Sequence, residues 1–199
     1  MSEELERVLT APFEPWRHGE GVLDRRHQFV IERVMAHQPK SVLEVGPGTG
    51  KLGWHLFFRE GVGVAFLDND LDNLRAIQAF AVSQGVRTIE YFQEDIGASR
   101  QPLAQGIGDV VVACEVIEHV PDWRQAIGNM MTLARKAVVF TTPVGYSFDD
   151  PGHVHHFKAQ DFLWLAAFED WAFNLWTMPT KLADIKTEQA CFVVELIRT

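Results

Sequence analysis

The stretch Val42-Leu43-Glu44-Val45-Gly46-Pro47-Gly48-Thr49-Gly50 decides how the chain is read. An apolar run holding one carboxylate breaks into glycines at three alternate positions. Ser41–Val45 reads as a short buried strand. A glycine turn directly after it lets bare backbone approach a ligand, because glycine has no Cβ to hold it off. The spacing is not the dinucleotide fingerprint G-x-G-x-x-G, since Lys51 stands where the third glycine belongs. It is not a P-loop either: too few residues separate Gly46 from Lys51, and Leu52 follows in place of Ser or Thr. Glu44 would repel a pyrophosphate and attract a cation such as an amino group.

Around this turn, strand and helix signals alternate. Apolar residues from Val22 to His37 recur at helical spacing, and Pro39 ends that helix. After the first strand come a helix at 51–59, a strand at 63–67, a helix at 71–84 and strands at 88–92 and 109–113. A helix at 122–134, a strand at 137–142 and a helix at 159–168 follow. Strands at 172–176 and 190–197 close the chain, with Pro179 between them in a hairpin-like return that makes one antiparallel. This alternation predicts an α/β fold, a mostly parallel sheet covered on both faces. Residues 1–20, with Trp16 and His18, read as an irregular lead-in or lid to a single domain spanning 1–199.

Composition narrows the function classes. The 199 residues are 47% hydrophobic and 23% charged, ordinary for a globular chain with a sizeable core. Eighteen basic against 27 acidic residues give a net charge of −9. The densest basic pair, Arg25-Arg26, lies in an amphipathic segment, so charge counts against a polynucleotide partner. Cys114 and Cys191 form no C-x-x-C pair and read as free thiols in a reducing compartment. The start Met-Ser-Glu-Glu has the wrong charge for a signal peptide, and no apolar run is long enough to span a bilayer. The expectation is a cytoplasmic protein.

In an open α/β sheet the ligand lies outside the carboxyl ends of the strands, where strand order reverses. The second strand ends at Asp68-Asn69-Asp70, at about the distance from Gly46 where an acid accepts from ribose hydroxyls. The third ends at Glu94-Asp95-Ile96, and Asp95 there is placed to accept from an adenine amine. With these residues the chain resembles the class I S-adenosylmethionine-dependent methyltransferases, from about Ser41 to Pro143. Glu44 to Gly50 fits that family's E-x-G-x-G-x-G motif without departure. The resemblance implies a Rossmann-like three-layer sandwich whose seven-stranded sheet has an antiparallel strand near the C-terminus. It implies S-adenosylmethionine as cofactor, with Gly46, Gly48 and Gly50 along its methionine moiety and Glu44 near its amino group. Asp68 and Asn69 would meet the ribose, Asp95 and Ile96 the adenine, and Cys114 would line the same cofactor site.

The next segment, Cys114-Glu115-Val116-Ile117-Glu118-His119, is similar to the Glu-x-x-Glu-His turn of the ubiquinone-biosynthesis O-methyltransferases and the small-RNA 2′-O-methyltransferases. In those subgroups the turn is associated with a divalent metal. At i, i+3 and i+4, one helical turn would gather Glu115, Glu118 and His119, and that donor set suits Mg²⁺ or another divalent cation. A fourth ligand or a base could come from any of the three histidines of the loop Asp149-Asp150-Pro151-Gly152-His153-Val154-His155-His156, with His156 taken for the metal set. The alternative leaves His119 as a neutral general base supported by both glutamates, and the loop as a helix entry beside the substrate.

The tryptophans 164, 171 and 176 and phenylalanines 162, 168 and 173 crowd the C-terminal third. They read as core, with an acceptor pocket or dimer surface as alternatives. The expected function is methyl transfer to a small-molecule acceptor, a hydroxyl first. The rivals are a nucleic-acid or protein methyltransferase within a complex, a non-catalytic S-adenosylmethionine-binding protein, and a nicotinamide oxidoreductase.

Overall fold

The structure, a computed structural model, describes residues 25–99, 103–145, 150–180 and 189–199. The expected lead-in with Trp16 and His18, and Asp149 of the histidine loop, lie outside the described residues. Helix α1 spans Arg25–Ala36, strand β1 Ser41–Val45, α2 Lys51–Phe58, β2 Gly63–Asp68 and α3 Leu71–Ser83. Then come β3 Glu90–Gln93, β4 Gly108–Cys114, α4 Trp123–Leu133 and β5 Ala134–Pro143. Strands β6, Trp171–Thr180, and β7, Gln189–Arg198, end the chain. The helix expected at 159–168 is a 3₁₀ helix, Ala159–Ala167.

All seven strands join one sheet in the order β3-β2-β1-β4-β5-β7-β6. Pairing is parallel except that β7 runs antiparallel to both β5 and β6, so β7 is the antiparallel strand the sequence predicted. Strand order reverses between β1 and β4, which opens a crevice at their carboxyl ends.

Alternation along the strands divides the core. Val42, Val110, Val112, Val139 and Val193 pack under α1, α2 and α3. Leu43, Val45, Val111, Val138 and Phe140 pack under α4 and the 3₁₀ helix. Much of the C-terminal aromatic cluster is core: Phe162 is fully buried, Trp171 nearly so, and Trp164 meets Trp123 edge-on. Among the described residues no helix is long and apolar enough to cross a membrane.

Candidate active site

A cleft of about 360 Å³ opens at the predicted switch point. One half is lined by Asp68, Asn69, Asn73, Glu94, Asp95 and Ile96, the other by Glu115, Val116, His119 and Val120, and Val45, Gly46 and Gly48 lie between. Glu44, Gly50 and Cys114, expected at the cofactor, are not among its lining residues.

The glycine turn holds itself and its neighbour. Gly46 has φ +59° and donates to Leu67 O at 2.8 Å. A Cβ on Gly46 would stand 2.5 Å from Val116 Cγ2, so only glycine lets the turn after β1 close on the turn after β4. Glu44 is corrected by parity. It shares a strand face with Val42, so its side chain enters the α2 side of the sheet and is 4% exposed. There Oε2 accepts from Gly53 N at 2.9 Å. Burial, partly opposed by that N–H, pushes the Glu44 carboxyl up to about 8. Gly50 initiates α2 in the left-handed conformation, φ +74°, with Trp54 packed beneath it.

The acids at the ends of β2 and β3 are ordered by their own loops. Asp68 accepts from Asp70 N at 2.9 Å and from Asn73 Nδ2 at 3.1 Å, one bond to each oxygen. A carboxylate has about four lone-pair positions, so two remain for a ligand's donors. Asp95 caps its own turn at Gly97 N. Asn129 of α4 clamps that turn from below, donating to Ile96 O at 2.7 Å and Ala98 O at 2.9 Å.

At the end of β4 the backbone leaves strand geometry at Glu115, which has φ +55°. A non-glycine residue there is strained by about 1–2 kcal/mol. Thr141 holds it: Glu115 N donates to Thr141 O at 3.1 Å, and Thr141 Oγ1 donates to Glu115 Oε1 at 2.8 Å. The other Glu115 oxygen pairs with Arg26 Nη1 at 3.0 Å. The helical turn expected to gather all three side chains does not include Glu115, because the following 3₁₀ turn starts only at Ile117.

Glu118 is fully buried and accepts from Thr142 Oγ1 at 3.1 Å through Oε2, while Oε1 has no hydrogen-bond partner among the described residues. Burial and then the charge of Glu115 push this carboxyl up to about 8, with Thr142 and Arg26 opposing. His119 Nδ1 lies 2.9 Å from Gly152 O. A carbonyl only accepts, so Nδ1 carries the proton and the neutral ring keeps its lone pair on Nε2.

The histidine loop reaches this turn because Glu118 O accepts from both Val154 N and His155 N. His155 Nε2 is spent on Pro121 O at 3.0 Å. Among the described residues, Glu118, His119 and His153 place ligand atoms within 4.8 Å of one another. The expected set of Glu115, Glu118, His119 and His156 is therefore corrected: Glu115 is turned to Arg26 and Thr141. His153, not His156, completes the cluster with Glu118 and His119, and the His156 ring centroid lies 6.5 Å from that of His153.

Comparison with known proteins agrees with this fold. Residues 43–139 match the family described as a methyltransferase domain. This match, over about half of the chain, and the fold support a class I S-adenosylmethionine-dependent methyltransferase. The ubiquinone biosynthesis O-methyltransferase of Pectobacterium atrosepticum is 36% identical over 116 residues, which cover 57% of this chain and 47% of that protein. The chain thus spans about half the length of the curated relatives it matches. Among solved structures, the YcgJ protein from Bacillus subtilis superposes with a TM-score of 0.69 at 12% identity, covering 86% of this chain and 98% of that one. Coclaurine N-methyltransferase, solved with N-methylheliamine and S-adenosylhomocysteine, gives 0.63 at 16% identity, covering 77% and 50%. At such identities the structures share the fold.

Arg26, Gly53, Thr141 and Thr142 were not singled out in the sequence, whereas His153 was one of three candidate histidines in its loop. Arg26 did carry a signal, as half of the densest basic pair on an otherwise amphipathic helix. The threonines end β5 beside the crevice, a place where hydroxyls merit notice. For Gly53 the chain offers no signal beyond a glycine inside a helix.

Proposed function

We propose that this chain transfers a methyl group from S-adenosylmethionine to a small-molecule hydroxyl. The observation that carries the reading is one cleft with two chemically different halves, joined where Gly46 touches Val116. The half ending in Asp68 and Asp95 has the donor set for a nucleoside: Asp68 keeps two lone pairs for ribose hydroxyls, and Asp95 with Ile96 offers an acceptor and an apolar edge to adenine. Gly46 and Gly48 give the methionine portion bare backbone. Glu44, Gly50 and Cys114 act from behind by shaping the turn and the strand ends. When bound, the cofactor supplies an electrophilic methyl on a sulfonium.

The rest of the chemistry falls to the protein. The acceptor hydroxyl is held beside His119, whose Nε2 accepts its proton as the oxygen attacks; Gly152 O fixes the ring. Glu118 underlies this turn, and Glu115 is fixed by Arg26 and Thr141 at its rim. Oxygen as acceptor is supported by the relatives named as O-methyltransferases, and a small acceptor by the acidic chain.

A second reading adds a divalent cation held by Glu118, His119 and His153. Glu118 Oε1, without a hydrogen-bond partner among the described residues, favours it, and two imidazoles with a carboxylate form a fitting donor set. A cation there would lower the pKa of the acceptor hydroxyl.

The test is a screen with methyl-labelled S-adenosylmethionine against phenols, alcohols, amines and thiols, in EDTA and with Mg²⁺ or Mn²⁺ restored. Label on a small-molecule oxygen is expected. Label passing only to protein or nucleic acid would overturn the acceptor reading, and full turnover in EDTA would remove the cation.

A further inference from the structure

We propose that Glu195, on β7 and remote from the cleft, is a positioning residue that fixes α1 and so holds Arg26 on Glu115; as a statement about cofactor binding this rests on the function proposed above. The β7 row facing α1 reads Cys191, Val193, Glu195, and the first two are buried in an apolar cluster. A fully buried carboxylate in such a row costs several kcal/mol unless it is paired. Glu195 is paired densely. Arg33 donates through Nε at 3.1 Å and Nη2 at 3.0 Å to Oε1, with a further Nη2 contact of 3.1 Å to Oε2. His37 Nε2 stands 2.9 Å from Oε1, and Asn174 of β6 donates to Oε2 at 3.0 Å.

The same end of α1 is gripped from two other strands. Arg33 stacks over Trp176 of β6, 5.1 Å from the ring centroid, and Phe29 meets that ring edge-on at 5.5 Å. Lys136 of β5 donates to His37 O and Gln38 O just past the helix end. Seven residues before Arg33 stands Arg26. Seven residues make two turns, so both arginines lie on one helix face about 10 Å apart. Val30, Ile31 and Val34 pack between and beside them. Arg26 meets Glu115 at 3.0 Å, and Glu115 lines the cleft next to Val116.

Helix α1 is therefore a strut with a carboxylate at each end, one on β7 and one on the turn after β4. Apolar packing alone would let the helix rotate or slide at small cost. A slip of one residue turns the face by about 100° and breaks both ion pairs together. Buried ion pairs are poor providers of net stability but good providers of registry, which is the role assigned here.

A double-mutant cycle separates positioning from mere support. The variants are Glu195→Gln, Arg26→Gln and the pair, with Arg33→Gln as the substitute should Glu195→Gln fail to fold. Calorimetry reads S-adenosylhomocysteine affinity, and hydrogen exchange reads residues 25–36 and 115–119. Glu195→Gln is expected to weaken binding by roughly three- to tenfold, and the double variant to bind no more weakly than Arg26→Gln alone. Unchanged affinity in Glu195→Gln, or additive losses, would overturn the proposal. Should the wild type not bind S-adenosylhomocysteine, the functional reading falls, and exchange decides the strut independently. Faster exchange at 115–119 in Glu195→Gln supports it, and unchanged exchange there overturns it.

Discussion

Gly53→Ala sets a helix-propensity gain against a packing loss, and the structure says which wins. Gly53 lies in the first turn of α2, and replacing glycine by alanine in a helix ordinarily stabilises by about 1 kcal/mol. Here the added Cβ would stand 2.5 Å from Glu44 Oε2 and 2.5 Å from Phe66 Cε1. Phe66 cannot yield: it is fully buried between Trp54, at 5.2 Å, and Tyr91, at 6.2 Å. Overpacking costs about 1–3 kcal/mol. Displacing Glu44 from Gly53 N leaves buried polar groups unsatisfied, for about 1–3 kcal/mol more. The net expectation is destabilisation by roughly 1–5 kcal/mol. Gly128→Ala in α4 is the control, because a Cβ there meets nothing within 4 Å. It should stabilise by about 0.5–1 kcal/mol. Urea denaturation with unchanged m-values reads both. A Gly53→Ala protein as stable as wild type would refute the placement of Glu44 under α2.

Two further expectations follow from the same geometry. The Glu44 carboxyl is raised from 4.5 to about 8. Between those values the unfolded chain releases a proton that the fold keeps, so stability falls as pH rises through that window, by up to on the order of 5 kcal/mol. Glu44→Gln should flatten the fall in melting temperature between pH 6 and 9, in buffers at about these values; a profile identical to wild type would contradict the burial argument. His119→Ala should lower turnover roughly 10²- to 10⁴-fold in initial-rate assays with the screened acceptor while S-adenosylhomocysteine affinity is nearly kept, and an unimpaired rate would remove His119 as the base.

The frame was legible because its strands are apolar runs and its turns are glycines and acids. Strand β1 coincides with its expected bounds. Strand β5 starts earlier than its apolar run, since Arg135 and Lys136 sit at its start and bind Asp109. Strand β6 runs through Pro179, which an edge strand tolerates because its missing N–H faces no partner. Asp68, Asp95 and His119 stand after strands in the sequence, and the fold brings all three to one cleft. Glu44 misled because its motif position names a neighbourhood, whereas the parity of β1 decides which layer receives the side chain. Choosing His153 over His156 depended on Glu118 O gathering the loop, a backbone contact that no spacing encodes. The strut from Glu195 to Arg26 joins residues far apart in sequence, and periodicity along α1 showed only that the helix is amphipathic.

The central claim is that this cleft binds S-adenosylmethionine through Asp68. Calorimetric titration with S-adenosylhomocysteine, and with NAD as competitor, tests it most directly. One site for S-adenosylhomocysteine is expected, weakened roughly hundredfold in Asp68→Ala through the loss of two charge-assisted bonds. Binding of NAD in preference, or affinity for S-adenosylhomocysteine unchanged by Asp68→Ala, would contradict it.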